Sequence, residues 1–263
     1  MADASSRDES LTNQRNFRHA FLKIAHRGYS SRYPENTLLA FEKAVEAGAD
    51  MIELDVRLSR DGELVVIHDA RINRTSNGRG RVADLILAEL KQYSYHNGMT
   101  VFGFIPIPTL AEVIVRVGSR VLLNVEIKGR WSKRTGIERK LADLLRAKHC
   151  VDRVIISSFN RKILAEMKRV DGEVRTGLLY DATWKRFRED VRALGVRSVH
   201  PELAAVESGA LRWASSCGIK VYPWVAKDRD TVERCRAMRF IDGVMVNDLG
   251  LFGAAIPCGS AAD

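Results

Sequence analysis

Cysteine is scarce and scattered. The four thiols, Cys150, Cys217, Cys235 and Cys258, include no CxxC pair, so neither a cysteine-built zinc site nor a disulfide framework is expected. They read as buried free thiols of a reducing compartment. Long hydrophobic runs are missing too. Nothing approaches the ~20 apolar residues that span a bilayer, and Met1 to Arg18 is polar and mixed in charge, without the apolar centre of a secretory signal. The expectation is a cytoplasmic protein with no stable membrane insertion and a flexible segment over residues 1–18. Basic blocks are absent as well. Lys and Arg outnumber Asp and Glu by 42 to 33, a net charge of +9, which favours anionic partners. Yet no five basic residues run together and no aromatic-interleaved stripe occurs, so no nucleic-acid partner is expected.

What is present is a chain of 263 residues, 46% hydrophobic, long enough for one α/β barrel or two small domains. Strand-like segments recur at Phe21–Ala25, Met51–Leu58, Leu64–Ile67, Val121–Ile127, Val154–Ser157, Val174–Leu179, Ser198–His200, Ile219–Tyr222 and Gly243–Val246. Helix-like segments alternate with them at Asn36–Gly48, Gly136–Lys148, Lys162–Arg169, Trp184–Leu194, Ser208–Ser216 and Asp230–Met238. Such alternation implies a parallel sheet covered by helices. With Leu64–Ile67 read as the hairpin return of the second strand, the main strands number eight, which predicts a closed (β/α)8 TIM barrel. Residues 19–256 then form a single barrel domain and 257–263 a C-terminal tail. Residues 68–109 break the rhythm with Asn77-Gly78, four aromatics (Tyr93, Tyr95, Phe102, Phe104) and two prolines. They read as a small insertion over the barrel mouth, with a short helix near Ala83–Lys91 and the aromatics packed beneath the loop.

Functional residues of a barrel gather where its strands end. The first strand ends in His26-Arg27-Gly28. The second carries Glu53 and Asp55, its return ends in His68-Asp69, and the third carries Glu126 and Lys128. Because side chains alternate along a strand, Glu53 and Asp55 share one face while Ile52, Leu54 and Val56 take the other; Asn124, Glu126 and Lys128 likewise oppose Val125 and Ile127. Apolar residues outward and acids inward is a costly arrangement unless the acids have partners. Three converging carboxylates therefore imply a cation, and oxygen-only ligands select a hard one, Mg2+ or Ca2+. His26 and His68 suit an acid–base pair, whereas His19, His96, His149 and His200 read as structural. Lys128 reads as a buried ion-pair partner of the acids, which is compatible with a site role. Arg27-Gly28 is either a turn or part of the site.

The run Ile24-Ala25-His26-Arg27-Gly28, Pro34-Glu35-Asn36-Thr37-Leu38, Gly48-Ala49-Asp50 and Ile52-Glu53-Leu54-Asp55-Val56 resembles glycerophosphodiester phosphodiesterases. So do Asp61-Gly62, Val65-Val66-Ile67-His68-Asp69, Arg74-Thr75-Ser76-Asn77-Gly78-Arg79-Gly80, Ile107-Pro108-Thr109-Leu110-Ala111-Glu112 and Asn124-Val125-Glu126-Ile127-Lys128, all in the family's order. The second half matches more thinly, at Ser157-Ser158-Phe159, Val221-Tyr222-Pro223-Trp224 and Asp242-Gly243-Val244. The resemblance implies one divalent cation on Glu53, Asp55 and Glu126, acid–base roles for His26 and His68, and phosphate contacts from Arg27 and Lys128. Trp224 then walls the substrate pocket. It also implies attack of a glycerol 2-hydroxyl on phosphorus, expulsion of the other alcohol, and opening of the cyclic phosphate by water to glycerol 3-phosphate. The partner would be a small glycerophosphodiester.

The chain departs from the family pattern twice. Val225-Ala226-Lys227 stands where Thr-Val-Asn is frequent, and Val246-Asn247-Asp248-Leu249 where Thr-Asp or Thr-Asn precedes a proline. Both departures point to the alcohol side of the site and put substrate choice in question. Alternative readings are a lysophospholipase D-type hydrolase, a lyase that releases cyclic phosphate, and a silent barrel that only binds. Both histidines and all three acids are present, which weighs against the last. Glu35-Asn36-Thr37 reads as a helix start with Asn36 or Thr37 as its cap.

Overall fold

The structure, a computed structural model, describes residues 21–129, 135–181, 185–206 and 209–253. The leading segment 1–18, the tail 257–263, His19 and Cys258 lie outside the described residues. Eight parallel strands form the sheet: β1 (Leu22–His26), β2 (Met51–Leu58), β4 (Leu122–Ile127), β5 (Val154–Ser158), β6 (Arg175–Tyr180), β7 (Ser198–Pro201), β8 (Lys220–Val221) and β9 (Gly243–Val246). A short strand β3 (Leu64–Val66) returns antiparallel on β2. The order β8-β7-β6-β5-β4-β2-β1-β9 leaves β8 and β9 at the ends. The amides of Asp242, Met245 and Ala226 then bond to Val221, Pro223 and Met245 carbonyls at 2.9–3.0 Å and join those ends. The barrel expected from eight main strands is the one observed.

Helices α1 (Leu38–Glu46), α3 (Leu110–Val117), α4 (Ile137–Ala147), α5 (Arg161–Val170), α6 (Phe187–Leu194), α7 (Gly209–Ser216) and α8 (Arg229–Ala237) surround the strands. Several start where the sequence supplies a cap: Thr37, Asn160 and Asp228 each accept a backbone N–H of the first turn. Thr109 and Glu112 form a reciprocal capping box at α3, a helix that the reading of 68–109 as loop did not extend to. Outward strand residues such as Ile52, Leu54, Val56, Val125 and Val199 join Phe41, Leu141, Leu164 and Leu211 of the helices in the main core.

The barrel interior has its own gradient. Leu22, Ile24, Met51, Ile155, Tyr222 and Met245 fill one end with apolar side chains, while acids and bases crowd the strand ends above them. Residues 68–109 carry the one-turn helix α2 (Leu87–Leu90) and two short 3-10 turns, Val82–Asp84 and Thr100–Phe102, where one helix near Ala83–Lys91 was expected. A small core of Val65, Ile67, Ile72, Val82, Leu90, Tyr95 and Ile107 holds this stretch together. Of its aromatics, Tyr95 is buried, but Phe104 is 62% exposed and Phe102 rests half-exposed on Tyr33. The expectation that all four pack beneath the loop fails for Phe104. Cys150 and Cys235 are buried and free, whereas Cys217 is exposed, against the expectation of burial. Among the described residues no helix is long and apolar enough to cross a membrane.

His200 sits fully inside the barrel, bonded to Ser198 Oγ at 2.8 Å and lying 3.4 Å from Asn124 Nδ2. Burial pushes its pKa from 6.5 down to about 3. Between those values the unfolded chain binds a proton that the folded chain refuses, so stability falls as pH drops through that window. Denaturant midpoints of wild type and His200→Leu, measured from pH 7 to 4.5, should show the variant losing less stability on acidification. Equal losses would mean that His200 accepts a proton inside the fold.

Candidate active site

Strand register assembles the acids. His26 at the end of β1 pairs with Glu53 of β2, and Asp55 of β2 pairs with Glu126 of β4. Asp55, Glu53 and Glu126 are all buried, and one oxygen from each lies within 4.8 Å of the others. Lys128, just past β4, is carried alongside by its own amide bond to Val56 O. Its Nζ lies 2.7 Å from Glu126 Oε1 and 3.2 Å from Asp55 Oδ1. The second contact has ion-pair distance without hydrogen-bond alignment, so Asp55 Oδ1 remains a buried acceptor with no hydrogen bond.

Arg27 follows β1 in a left-handed conformation (φ 57°), and Gly28 continues the turn at φ 81°. A Cβ on Gly28 would stand 2.8 Å from the backbone carbon of Ala40, so only glycine lets this turn lie against α1. The turn aims the Arg27 amide at Glu53 Oε2, 3.0 Å away. Its guanidinium reaches Glu35 Oε1 at 3.0 Å and Asp55 Oδ2 at 3.4 Å. Arg27-Gly28 is a turn, and that turn is what brings the arginine to the acids. Asn36 donates to Asp55 Oδ2 at 2.8 Å and accepts from the Asp55 amide. The helix cap is Thr37, and Asn36, at φ 58°, is spent on the acid instead.

The histidines are tied in different ways. His26 Nδ1 lies 2.7 Å from Asn247 Oδ1, and its Nε2 is 3.9 Å from Glu53 Oε2. Asn247, read from sequence as a feature of the alcohol side, thus belongs to the surroundings of His26. His68 stands one residue beyond Ile67, whose amide bonds to Asp55 O. Its Nδ1 lies 2.6 Å from Asp69 Oδ1. With Nδ1–H donated in each case, Nε2 is left as the unprotonated nitrogen of both rings. Burial lowers both pKa values, that of His26 to about 4, so both rings are neutral in the resting protein near neutral pH.

The carboxylates divide the same way. Burial raises the Asp55 pKa, but Lys128 and Arg27 outweigh it and hold the group below its ordinary value. Burial and the charge of Asp55 push Glu126 up to about 7 and Glu53 well above the carboxylate range. Burying an unpaired ion costs several kcal/mol, a large share of a domain's stability of roughly 5–15 kcal/mol. Arg27, Lys128 and Asn36 compensate Asp55, leaving two acids short of positive charge. Three clustered carboxylates, one of which carries a buried oxygen without a hydrogen bond, fit a hard divalent cation that would supply it.

Trp224 lies across the barrel, half-buried, with its indole N–H donated to His200 O at 2.9 Å and its ring edge-on to Phe159 at 5.8 Å. Sequence reasoning gave Glu35, Asn36, Asp69 and Arg74 no place in the site and put Asn247 on its alcohol side. Their signal was membership of segments compared with the family pattern, which gave none of them a role beside a particular site residue.

Comparison with known proteins finds relatives over most of the chain. The model of the glycerophosphoryl diester phosphodiesterase family matches residues 26–251. A glycerophosphodiester phosphodiesterase of Caldanaerobacter subterraneus is 38% identical over 231 residues, covering 86% of this chain and 94% of that protein. A Thermotoga maritima glycerophosphodiester phosphodiesterase structure is 33% identical with a TM-score of 0.74, covering 89% of this chain and 97% of that one. An Oleispira antarctica phosphodiesterase, solved in complex with the product sn-glycerol-3-phosphate, is 28% identical with a TM-score of 0.80, covering 89% and 96%.

Proposed function

Since the chain belongs to the glycerophosphoryl diester phosphodiesterase family and is a hydrolase of glycerophosphodiesters, we propose that it works by metal-assisted acid–base catalysis with His26 and His68. The observation that carries this reading is the convergence of Glu53, Asp55 and Glu126 within 4.8 Å beside those histidines. The three acids would hold one divalent cation, Mg2+ or Ca2+, which when bound polarises the phosphoryl oxygen and offsets developing negative charge.

Arg27 and Lys128 contact the phosphate oxygens, drawing on cations that already border the acids. One histidine takes the proton of the glycerol 2-hydroxyl as that oxygen bonds to phosphorus. The phosphorus–oxygen bond to the other alcohol breaks, and the second histidine delivers a proton to the departing oxygen. An anionic phosphodiester beside that ring favours its protonated form despite burial. The pair then works in reverse on water, which opens the cyclic phosphate to glycerol 3-phosphate. Trp224 and Phe159 wall the side of the mouth away from the acids.

A second reading, a lysophospholipase D-type substrate, is favoured by the apolar lip at Val101 and Phe104, 86% and 62% exposed, beside Phe102 on Tyr33. Phosphorus NMR of the reaction separates the possibilities. Glycerophosphocholine should yield glycerol 3-phosphate, with cyclic phosphate transient. Cyclic phosphate as the end product would make the enzyme a lyase, and turnover confined to lysophosphatidylcholine would establish the second reading.

A further inference from the structure

One guanidinium outside the barrel strands touches two acids that each hold a site residue. Arg74, in the stretch after β3, sends Nη1 to Glu35 Oε2 at 2.9 Å and Nη2 to Glu35 Oε1 at 2.8 Å. Its Nε reaches Asp69 Oδ2 at 2.7 Å, and Nη2 also lies 3.3 Å from Asp69 Oδ1. Asp69 holds His68 Nδ1, and Glu35 holds Arg27. The contacts form one line: Arg27, Glu35, Arg74, Asp69, His68.

We propose that Arg74 is a positioning residue, which sets the tautomer and direction of His68 through Asp69 and the reach of Arg27 through Glu35. The proposal rests on the reading of His68 as an acid–base group and Arg27 as a phosphate contact.

A plainer role would be to staple the loop to the barrel, and an isolated ion pair at a side chain 44% exposed contributes little. The loop, however, is already tied to the barrel and fixed within itself without this side chain: Arg57 of β2 donates to His68 O at 2.9 and 2.7 Å, Arg60 N bonds to Leu85 O at 2.9 Å, and Val65 and Ile67 share the loop's core. Ile72 N bonds to Gly80 O, Ser76 N and Oγ to Ile72 O, Asn97 N to Thr75 O, and Asn77 N to Ser94 O, all at 2.8–3.1 Å. Gly80 N adds a bond to Asn73 Oδ1. What the Arg74 side chain adds is contact with two acids that each hold a site residue.

Fork geometry makes the bridge specific. A planar guanidinium grips one carboxylate with two parallel N–H bonds and still offers Nε to another. A lysine carries the same charge but no fork. With Asp69 so held, its carboxylate accepts the His68 Nδ1–H, and the ring has only Nε2 free to exchange a proton with substrate. A misplaced Asp69 would release both the tautomer and the ring angle, and small displacements of this kind are expensive in catalysis.

The test is a double-mutant cycle with glycerophosphocholine, measuring kcat and KM for wild type, Arg74→Gln, Asp69→Asn and the double variant. Arg74→Gln should lower kcat by about tenfold or more, Arg74→Lys should not restore it, and the loss should be much smaller in the Asp69→Asn background. In spectra of the 15N-histidine protein without substrate, the His68 proton should sit on Nδ1 in wild type, move toward Nε2 in Asp69→Asn and become mixed in Arg74→Gln. The proposal is overturned if Arg74→Gln keeps kcat within about twofold of an active wild type, if the two losses multiply independently, or if the His68 tautomer is unmoved. Should Arg74→Gln fail to fold, the tautomer in Asp69→Asn decides. A wild type that releases no glycerol 3-phosphate would count against the reaction assigned above, while the spectra still report on the positioning.

Discussion

Alanine at His68, and separately at His26, is expected to lower kcat for glycerophosphocholine by roughly 10²–10⁴-fold, the usual contribution of a general acid or base. KM should rise far less than kcat falls, because the proton transfers belong to the transition state and only the protonated ring also meets the anionic substrate beforehand. The fold should survive both changes. Removing His26 leaves Asn247 Oδ1 with its contact from Ser30 Oγ at 3.3 Å. Removing His68 leaves Asp69 with two contacts from Arg74. No buried partner is orphaned, so stability should move by no more than about 1 kcal/mol, read as a melting midpoint within about 2–4 °C of wild type. Near-normal kcat in either variant would remove that histidine from the chemistry.

The second large effect separates two acids that look alike in the sequence. Glu53 is buried, crowded by Asp55 and Glu126, and pushed to keep its proton. Glutamine resembles the protonated form and can still accept the Arg27 amide now bonded to Glu53 Oε2. In the absence of metal, Glu53→Gln should therefore be as stable as wild type or more so. With metal it should show little of the added thermal stability that wild type gains from binding, since stabilisation follows the ratio of metal concentration to Kd. Asp55→Asn should behave oppositely without metal. Its carboxylate is the shared partner of Arg27, Lys128 and Asn36, and neutralising it leaves the two cations only Glu35 and Glu126 as partners, so stability without metal should fall, by at most about 3–5 kcal/mol. Thermal melts with and without Mg2+ or Ca2+ check both. An unchanged metal response in Glu53→Gln would take that residue out of the ligand set.

Much of this was legible in the sequence because its signals are periodic and local. The alternation of Glu53 and Asp55 with Ile52, Leu54 and Val56 places the acids inside, and the same alternation at Asn124, Glu126 and Lys128 places the third beside them once β2 and β4 pair in register. The second strand and the last were read to the residue, Met51–Leu58 and Gly243–Val246. What was missed depends on register between distant segments. Asn247 meets His26 across 221 residues, and Arg74 meets Glu35 across 39. No spacing rule encodes either contact. Asn36 illustrates a different failure: a residue with ordinary capping chemistry takes a left-handed backbone and gives its side chain to Asp55, leaving the cap to Thr37. Helix α3 was overlooked although Thr109 and Glu112 stand at capping-box spacing; the segment after the insertion 68–109 was given no element. Phe104 was assigned to packing on its composition alone, and composition does not tell which side of a turn faces water.

The central claim is that three buried acids and two histidines hydrolyse a glycerophosphodiester with the help of one divalent cation. Its most direct test is release of glycerol 3-phosphate from glycerophosphocholine by protein stripped with chelator, then supplied with Mg2+ or Ca2+. The expected result is no release from the stripped protein and recovery on adding either ion in stoichiometric to modest excess. Undiminished release in excess chelator would contradict the claim, since the acids would then be acting without the cation their geometry calls for.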